Sequence, residues 1–163
     1  KKIANVAVFG FSTSSSAATL PLSIKVCTED LGADESIASF VLPLGMTINM
    51  DGTAIMQVIA TVFIAGCAGY DLSPMQLVVI ALLALLASVG TPAAPGAGAV
   101  ILFTILSGVG FVNDMALLAY SLILAINRPI EMLVTSLNVV GDATSCICVA
   151  KSEGLLDEEK FNA

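Results

Sequence analysis

Histidine is absent from these 163 residues, and only 12% of them are charged. Soluble domains carry about 25% charged residues. The four cysteines, Cys27, Cys67, Cys146 and Cys148, form no CxxC pair. Without histidine or paired thiols, a zinc centre is not expected. Cys146 and Cys148 sit two apart on an expected helix, so they face different ways; all four cysteines read as small apolar fillers. Basic residues number six and form no patch, and the net charge is -7, which argues against a nucleic-acid partner. An intramembrane hydrolase is not expected either, because Ser15 and Ser16 have no general base in a recognisable arrangement.

What is abundant is apolar surface. Hydrophobic residues make up 57% of the chain, and mean hydropathy is +0.98. No ionisable side chain occurs between Asp71 and Asp114. That gap exceeds the roughly 20 residues that cross a bilayer core once. The expected class is an all-α integral membrane protein. Acidic residues gather in EDLGADE (29–35) and between Glu153 and Glu159, as solvated ends of membrane helices would. The chain opens on KKIANVAVFG with no recognisable signal peptide, inside an apolar helix. It reads as the C-terminal piece of a longer protein.

The apolar segments are short and interrupted. Hairpin 1, about residues 1–30, carries a polar tip, STSSSAATLP (12–21). A span at about 35–68 is broken at NMDGT. Hairpin 2, about 73–110, turns at TPAAPGAG (91–98), where two prolines and two glycines exclude regular helix. A last long helix, about 114–150, is broken near NRP (127–129), and 152–163 is expected to be a cytoplasmic tail. The predicted architecture is two re-entrant helical hairpins and two broken transmembrane helices. Non-helical backbone at membrane depth is tolerated where protein or a wet cavity surrounds it. Paired, Gly/Pro-interrupted apolar segments point to a transporter's binding site. Lys1, Lys2, Lys25, Lys151 and Lys160 put the base of hairpin 1 and the C-terminus in the cytoplasm.

The polar run TINMDGT (47–53) lies between two apolar segments. An Asp at the centre of a membrane helix costs about 2.5 to 3.5 kcal/mol on insertion scales. Asp51 and Asp142 are both such residues, and Arg128 is the one base on a nearby span. An unpaired buried carboxylate either takes up a proton or holds a cation. Carboxylate, carbonyl and hydroxyl oxygens suit a hard cation, and a broken helix exposes free carbonyls. A cation site is the expected answer, with a structural Asp bonded to a neighbouring helix as the alternative. A channel would need rings of charge or carbonyls around an axis, and nothing in the sequence repeats to make one.

SSSAATLP, NMDGT, GTPAAPGAG and NVVGDATSCICVAK follow one another in this order over residues 1–152. Together they resemble the dicarboxylate/amino-acid:cation symporter family, which includes the glutamate and neutral amino-acid transporters. The resemblance implies the C-terminal part of a transport domain: hairpin 1, the seventh span, hairpin 2 and the eighth span. It further implies elevator-type alternating access, hairpin 2 as gate, and a homotrimer built through a scaffold region that this chain lacks. It also implies a multi-pass protein of the plasma or inner membrane, and a transporter, not an enzyme.

The resemblance implies Na+ as coupling ion. A first site would use carbonyls of Gly45, Asn49 and Asn138 with the Asp142 carboxylate. A second would use Thr47 and Met50 with the hairpin 2 backbone at Ser88, Val89 and Thr91. A third would use Asn49 and Asp51, with further ligands outside this chain. Proton-driven members often lose the last Asp, so Asp142 favours sodium.

Carried over in the same way, Ser15, Ser16, Thr53, Ala94, Gly98, Thr135 and Asn138 match substrate ligands. Asn138 and the tip serines would hold the α-carboxylate, with help from helix-end dipoles. Glu131 stands where the amine-binding Asp is usual, and Val134 where acidic-substrate members have Arg. Removing one member of a buried ion pair costs roughly 3 to 5 kcal/mol. The expected cargo is therefore a small neutral L-amino acid. The alternative is sodium- or proton-coupled transport of an acidic amino acid or C4-dicarboxylate. Arg128, three residues before Glu131 on the same helix face, would be its relocated guanidinium. Pairing with Glu131, or capping the break at Pro129, are its other roles. Pro92 and Ala93 replace the Ala and Gly of many relatives and would stiffen the gate.

Overall fold

A computed structural model describes residues 2–163. The regular elements among the described residues are helices, apart from one isolated bridge between Ala33 and Leu156. Helix α1 (Ala4–Thr13) ends where Ser14 takes a left-handed conformation (φ 51°) and its N–H reaches the Gly10 carbonyl at 2.9 Å. Ser15 then caps α2 (Ser16–Lys25), its Oγ accepting from the Ala18 N–H at 3.2 Å. The turn is thus two residues, not the ten-residue polar tip read from the sequence. Ser14 ends one helix through its backbone and Ser15 starts the next through its side chain, which composition alone does not reveal. A π-helical turn, Val26–Asp30, follows α2.

Asp34 caps α3 (Glu35–Ile48), which stops at Asn49 and Met50 before α4 (Asp51–Cys67). Ser73 and Gln76 close a capping box on α5 (Pro74–Val89), with proline in the first turn, where it removes no helical hydrogen bond. The connection runs from Gly90 to Gly96, whose φ of 88° glycine alone adopts cheaply. Helix α6 (Ala97–Gly108) returns against α5. Asn113 caps α7 (Asp114–Ile126), and Asn127 separates it from α8 (Arg128–Ser152), with Pro129 in the first turn. A short α9 (Glu158–Asn162) ends the chain.

Two apolar cores result. One joins α1, α2, α3 and α8 around Val6, Leu42, Val139 and Cys146. The other joins α4 to α7 around Ile64, Ile80, Leu102 and Phe111. Helix α8 packs on α1, α3 and α4, so it connects both cores. The packing is close because Gly10 faces Val139, and Gly52 faces the Val134 carbonyl. A Cβ on Gly52 would stand 2.9 Å from that oxygen. The broken helix Glu35–Cys67 and α8 are long and apolar enough to cross a membrane. Phe40, Ile59, Phe63, Leu86, Leu122 and Leu133 are more than half exposed. Apolar surface on that scale marks a lipid or protein interface.

One expectation needs correction. Cys27 and Cys146 are buried fillers, but Cys67 and Cys148 are exposed. The segment after Ser152 packs back on the loop before α3. Its Leu155 carbonyl accepts from Asp34 N–H at 3.0 Å, and Asp157 N–H donates to the Gly32 carbonyl at 2.8 Å. The Lys2 ammonium donates to the Lys160 and Phe161 carbonyls. These backbone bonds fasten the end of the chain to the loop before α3, and backbone complementarity of that kind leaves no pattern in the sequence.

Candidate substrate pocket and cation cluster

The two helix-pair tips and the two helix breaks meet in one place. Ser15 Oγ donates to the Ala93 carbonyl at 2.9 Å, which ties the first tip to the second. Beneath them lies a small cavity of about 30 Å³. Its walls include Ser16, Thr53, Gly98, Glu131, Val134, Thr135 and Asn138. Ala94 lines it as well, with Met50, Met56, Thr91, Pro92 and Ala93. Of the nine residues expected to bind substrate, Ser15 alone is not in the wall; it fastens the second tip instead. Met56, Pro92 and Ala93 were not expected there. Met56 is an apolar residue in an apolar helix and gives no sequence signal.

Asn138 organises the floor. It is buried, and its Oδ1 accepts from Gly52 N–H at 2.9 Å. Its Nδ2 donates to Thr53 Oγ1 at 3.1 Å. Gly52 lies in the first turn of α4, where a backbone N–H has no intrahelical acceptor and is free to be met by a side chain. Glu131 is buried on the facing side. One carboxylate oxygen accepts from Gly96 N–H in the second tip, and the other pairs with Arg128 at 2.8 Å. Glu131 is the one charged residue in the wall, and Val134 beside it is apolar. Gln57, fully buried, donates to the Gly98 carbonyl at 3.2 Å and holds the start of α6. A glutamine inside an apolar helix was the signal that could have singled it out.

One turn further along α8 the oxygens gather. Asn49 Nδ2 donates to Asp142 Oδ1 at 2.9 Å and to the Asn138 carbonyl at 3.2 Å. The Gly45 carbonyl accepts from Asn49 N–H at 2.7 Å, and Asp142 Oδ1 packs against Gly45 itself. So Gly45, Asn49, Asn138 and Asp142 are brought together at the break between α3 and α4. Asp142 is buried, and among the described residues no Lys or Arg pairs with it. Carboxylate and carbonyl oxygens of this kind suit a hard cation such as Na+, and the Asn49 amide turns its nitrogen to them. The other expected ligands are more dispersed. Met50 and Thr91 share the pocket wall, and Ser88 is buried below it. Thr47 Oγ1 turns back to the Leu44 carbonyl at 2.8 Å, and Val89 is half exposed. Asp51 is exposed and shares a shallow depression with Gly45 and Asn49.

The family model of the sodium:dicarboxylate symporter family matches residues 1–152. The chain belongs to this family. It is 40% identical over 157 residues to the putative sodium-dependent excitatory amino acid transporter glt-4 of Caenorhabditis elegans, covering 96% of this chain and 30% of that protein. It is 44% identical over 131 residues to excitatory amino acid transporter 2 of Homo sapiens, covering 80% of this chain and 22% of that one. An excitatory amino acid transporter of Onchocerca volvulus is 43% identical over 137 residues. The chain thus spans less than a third of the curated relatives it matches. Family membership supports a membrane location and symport, not enzymatic turnover. The relatives are named for excitatory amino acids, so the expectation of a neutral cargo gains no support from them.

Proposed function

We propose that this chain is the substrate- and sodium-binding core of a sodium-coupled amino-acid transporter. Asn138 carries the reading. Its side chain forms the pocket floor, while its carbonyl joins the Asn49–Asp142 cluster. A cation gathering those oxygens would fix the backbone of Asn138, and with it the floor on which substrate rests. Occupancy of one site thereby favours occupancy of the other, which is coupling in the thermodynamic sense.

An acidic amino acid is the favoured cargo, because the relatives are excitatory amino acid transporters. Glu131 would take the substrate amine, and Ser16, Thr135 and Asn138 the α-carboxylate. Arg128, released from Glu131, supplies the guanidinium for the second carboxylate. A neutral amino acid is the second reading. It rests on Val134, an apolar wall where a side-chain carboxylate would want a cation. The two helix pairs are re-entrant in this reading, and hairpin 2 is the gate of an elevator-type cycle. The full-length protein would trimerise through its scaffold in a plasma or inner membrane, with the C-terminus in the cytoplasm. Sodium-driven uptake of labelled L-aspartate into proteoliposomes of the full-length protein, competed by L-alanine and L-serine, tests the choice. Aspartate uptake unaffected by excess alanine supports the acidic reading. Alanine uptake with aspartate ignored establishes the neutral one.

A further inference from the structure

A groove of about 250 Å³ runs along the outside of the helix bundle, between α4 and the junction of α7 with α8. Helix α4 supplies Met56, Ile59, Ala60 and Phe63 to one side. The junction supplies Ile123, Ile126, Asn127 and Ile130 to the other. Both sets have the spacing i, i+3, i+4, i+7, so each side offers one stripe, about 10 Å long. Ile59, Phe63, Ile126 and Ile130 stand exposed along the rim, while Met56, Ala60 and Asn127 are buried in the floor. No charged residue lines the groove, and Asn127 is its one polar residue. Asn127 stands at the N-cap of α8, where an Asn side chain ordinarily accepts from the second or third helical N–H. Pro129, the second helical residue, has no N–H to give, and the Asn127 side chain makes no capping bond. Its Oδ1 is buried and meets no donor among the described residues. Buried acceptors are nearly always partnered, so an orphan in the floor of an apolar groove marks the place of a ligand's donor.

We propose that this groove binds an uncharged amphiphile of the fatty-alcohol class, its chain lying between the two stripes and its hydroxyl on the Asn127 amide. A hydroxyl suits an amide because it donates to the oxygen and can accept from the nitrogen. A carboxylate or phosphate head at that depth would be buried without a cation, since the wall holds none. A helix, about 10 to 12 Å across with its side chains, would rest on the exposed rim and leave the buried Asn127 amide unmet. A single alkyl chain reaches the floor. The rim is apolar and exposed, so the ligand arrives from the hydrocarbon of the bilayer. Neither Asp142 nor Glu131 takes part in this site, so it stands apart from the transport reading. Met56 nevertheless lines both the groove and the substrate pocket, which places an occupant one side chain from the substrate.

The test is photolabelling of the full-length protein in lipid nanodiscs with decanol that carries a diazirine in its chain, adducts being mapped by peptide mass spectrometry. Adducts should concentrate on residues 56–63 and 123–130, above the level at Leu86, which is exposed on α5 outside the groove. Unlabelled decanol should compete about fivefold better than decane at equal bilayer concentration, the worth of one neutral hydrogen bond. Asn127→Leu replaces an unpaired polar group by an apolar one, so it should keep the fold and make decanol and decane equal competitors. Ala60→Phe fills the floor and should remove the groove adducts. Thermal midpoints of both variants, measured alongside, separate loss of the site from unfolding. Equal competition by decane in the parent overturns the assignment, because the amide then reads nothing. So do adducts no denser in the groove than at Leu86, whether the label finds only general lipid surface or another part of the full-length protein covers the groove.

Discussion

Gly141→Ala should destabilise this protein, although alanine is the better helix former. A Cβ at position 141 in α8 would lie 2.6 Å from Asn49 Nδ2. The amide must swing away, and it then loses its bonds to Asp142 Oδ1 at 2.9 Å and to the Asn138 carbonyl at 3.2 Å. A hydrogen bond to a charged group contributes about 1.5 to 3 kcal/mol. Gly→Ala inside a helix gains about 0.8 to 1 kcal/mol. The difference leaves the variant about 0.5 to 2 kcal/mol less stable. The same displacement takes an oxygen-bearing side chain out of the proposed cation cluster. Sodium dependence of stability should therefore weaken along with stability itself. The assay is thermal unfolding of purified protein in detergent across a sodium series. A lower midpoint, with a smaller rise on adding sodium, is the expected result. A higher midpoint with an unchanged sodium response would show that Asn49 is not held against α8 as described.

Three other outcomes follow from the same contacts. Asn138→Ala leaves the Gly52 N–H buried without an acceptor, so it should cost about 1 to 3 kcal/mol of stability, read as a lower thermal midpoint in detergent. Truncation after Ser152 removes the backbone bonds to Gly32 and Asp34. Hydrogen exchange of the 31–34 loop should then accelerate, while exchange at the pocket floor stays slow. Asp34 caps α3 outside the membrane-spanning segments, and the Ser36 hydroxyl and N–H hold its carboxyl below the usual carboxylate range. A lowered folded pKa stabilises above the ordinary carboxylate pKa and is lost as pH falls through the folded value. Fraying of the start of α3 should therefore appear only in acid, and Asp34→Ala should show it already at neutral pH, both read by exchange of the Ser36 and Ile37 amides.

Much of the architecture was legible because apolar runs and their interruptions are physically coded. Pro74 after Ser73, and Asn113 before an apolar run, announce helix starts. NMDGT and NRP announce breaks, since Asp51 and Pro129 begin helices more readily than they sit inside them. The extent of the first turn was not legible. Six polar residues in STSSSAATLP look like loop, yet Ser15 caps a helix that continues through Pro21. The docked end of the chain was invisible for a related reason: backbone carbonyls of Leu155 and Gly32 make the contact, and any sequence supplies those. At the pocket, the polar and charged residues drew notice and Gln57 carried a signal of its own, but Met56 required the packing itself. The Arg128–Glu131 pair followed from helical spacing; its attachment to Gly96 did not, because the tip's path is set by glycine and proline geometry.

Sodium and substrate should be coupled through Asn138 and Asp142. Binding of labelled L-aspartate to the full-length protein, measured against sodium concentration in the parent and in Asp142→Asn, tests it most directly. The parent should bind only when sodium is present, with affinity rising as sodium rises. The variant keeps a side chain of the same shape but loses the charge, and its binding should fall at least tenfold with a flattened sodium dependence. Tight binding that ignores sodium in the parent, or an unaltered sodium dependence in Asp142→Asn, would contradict the account.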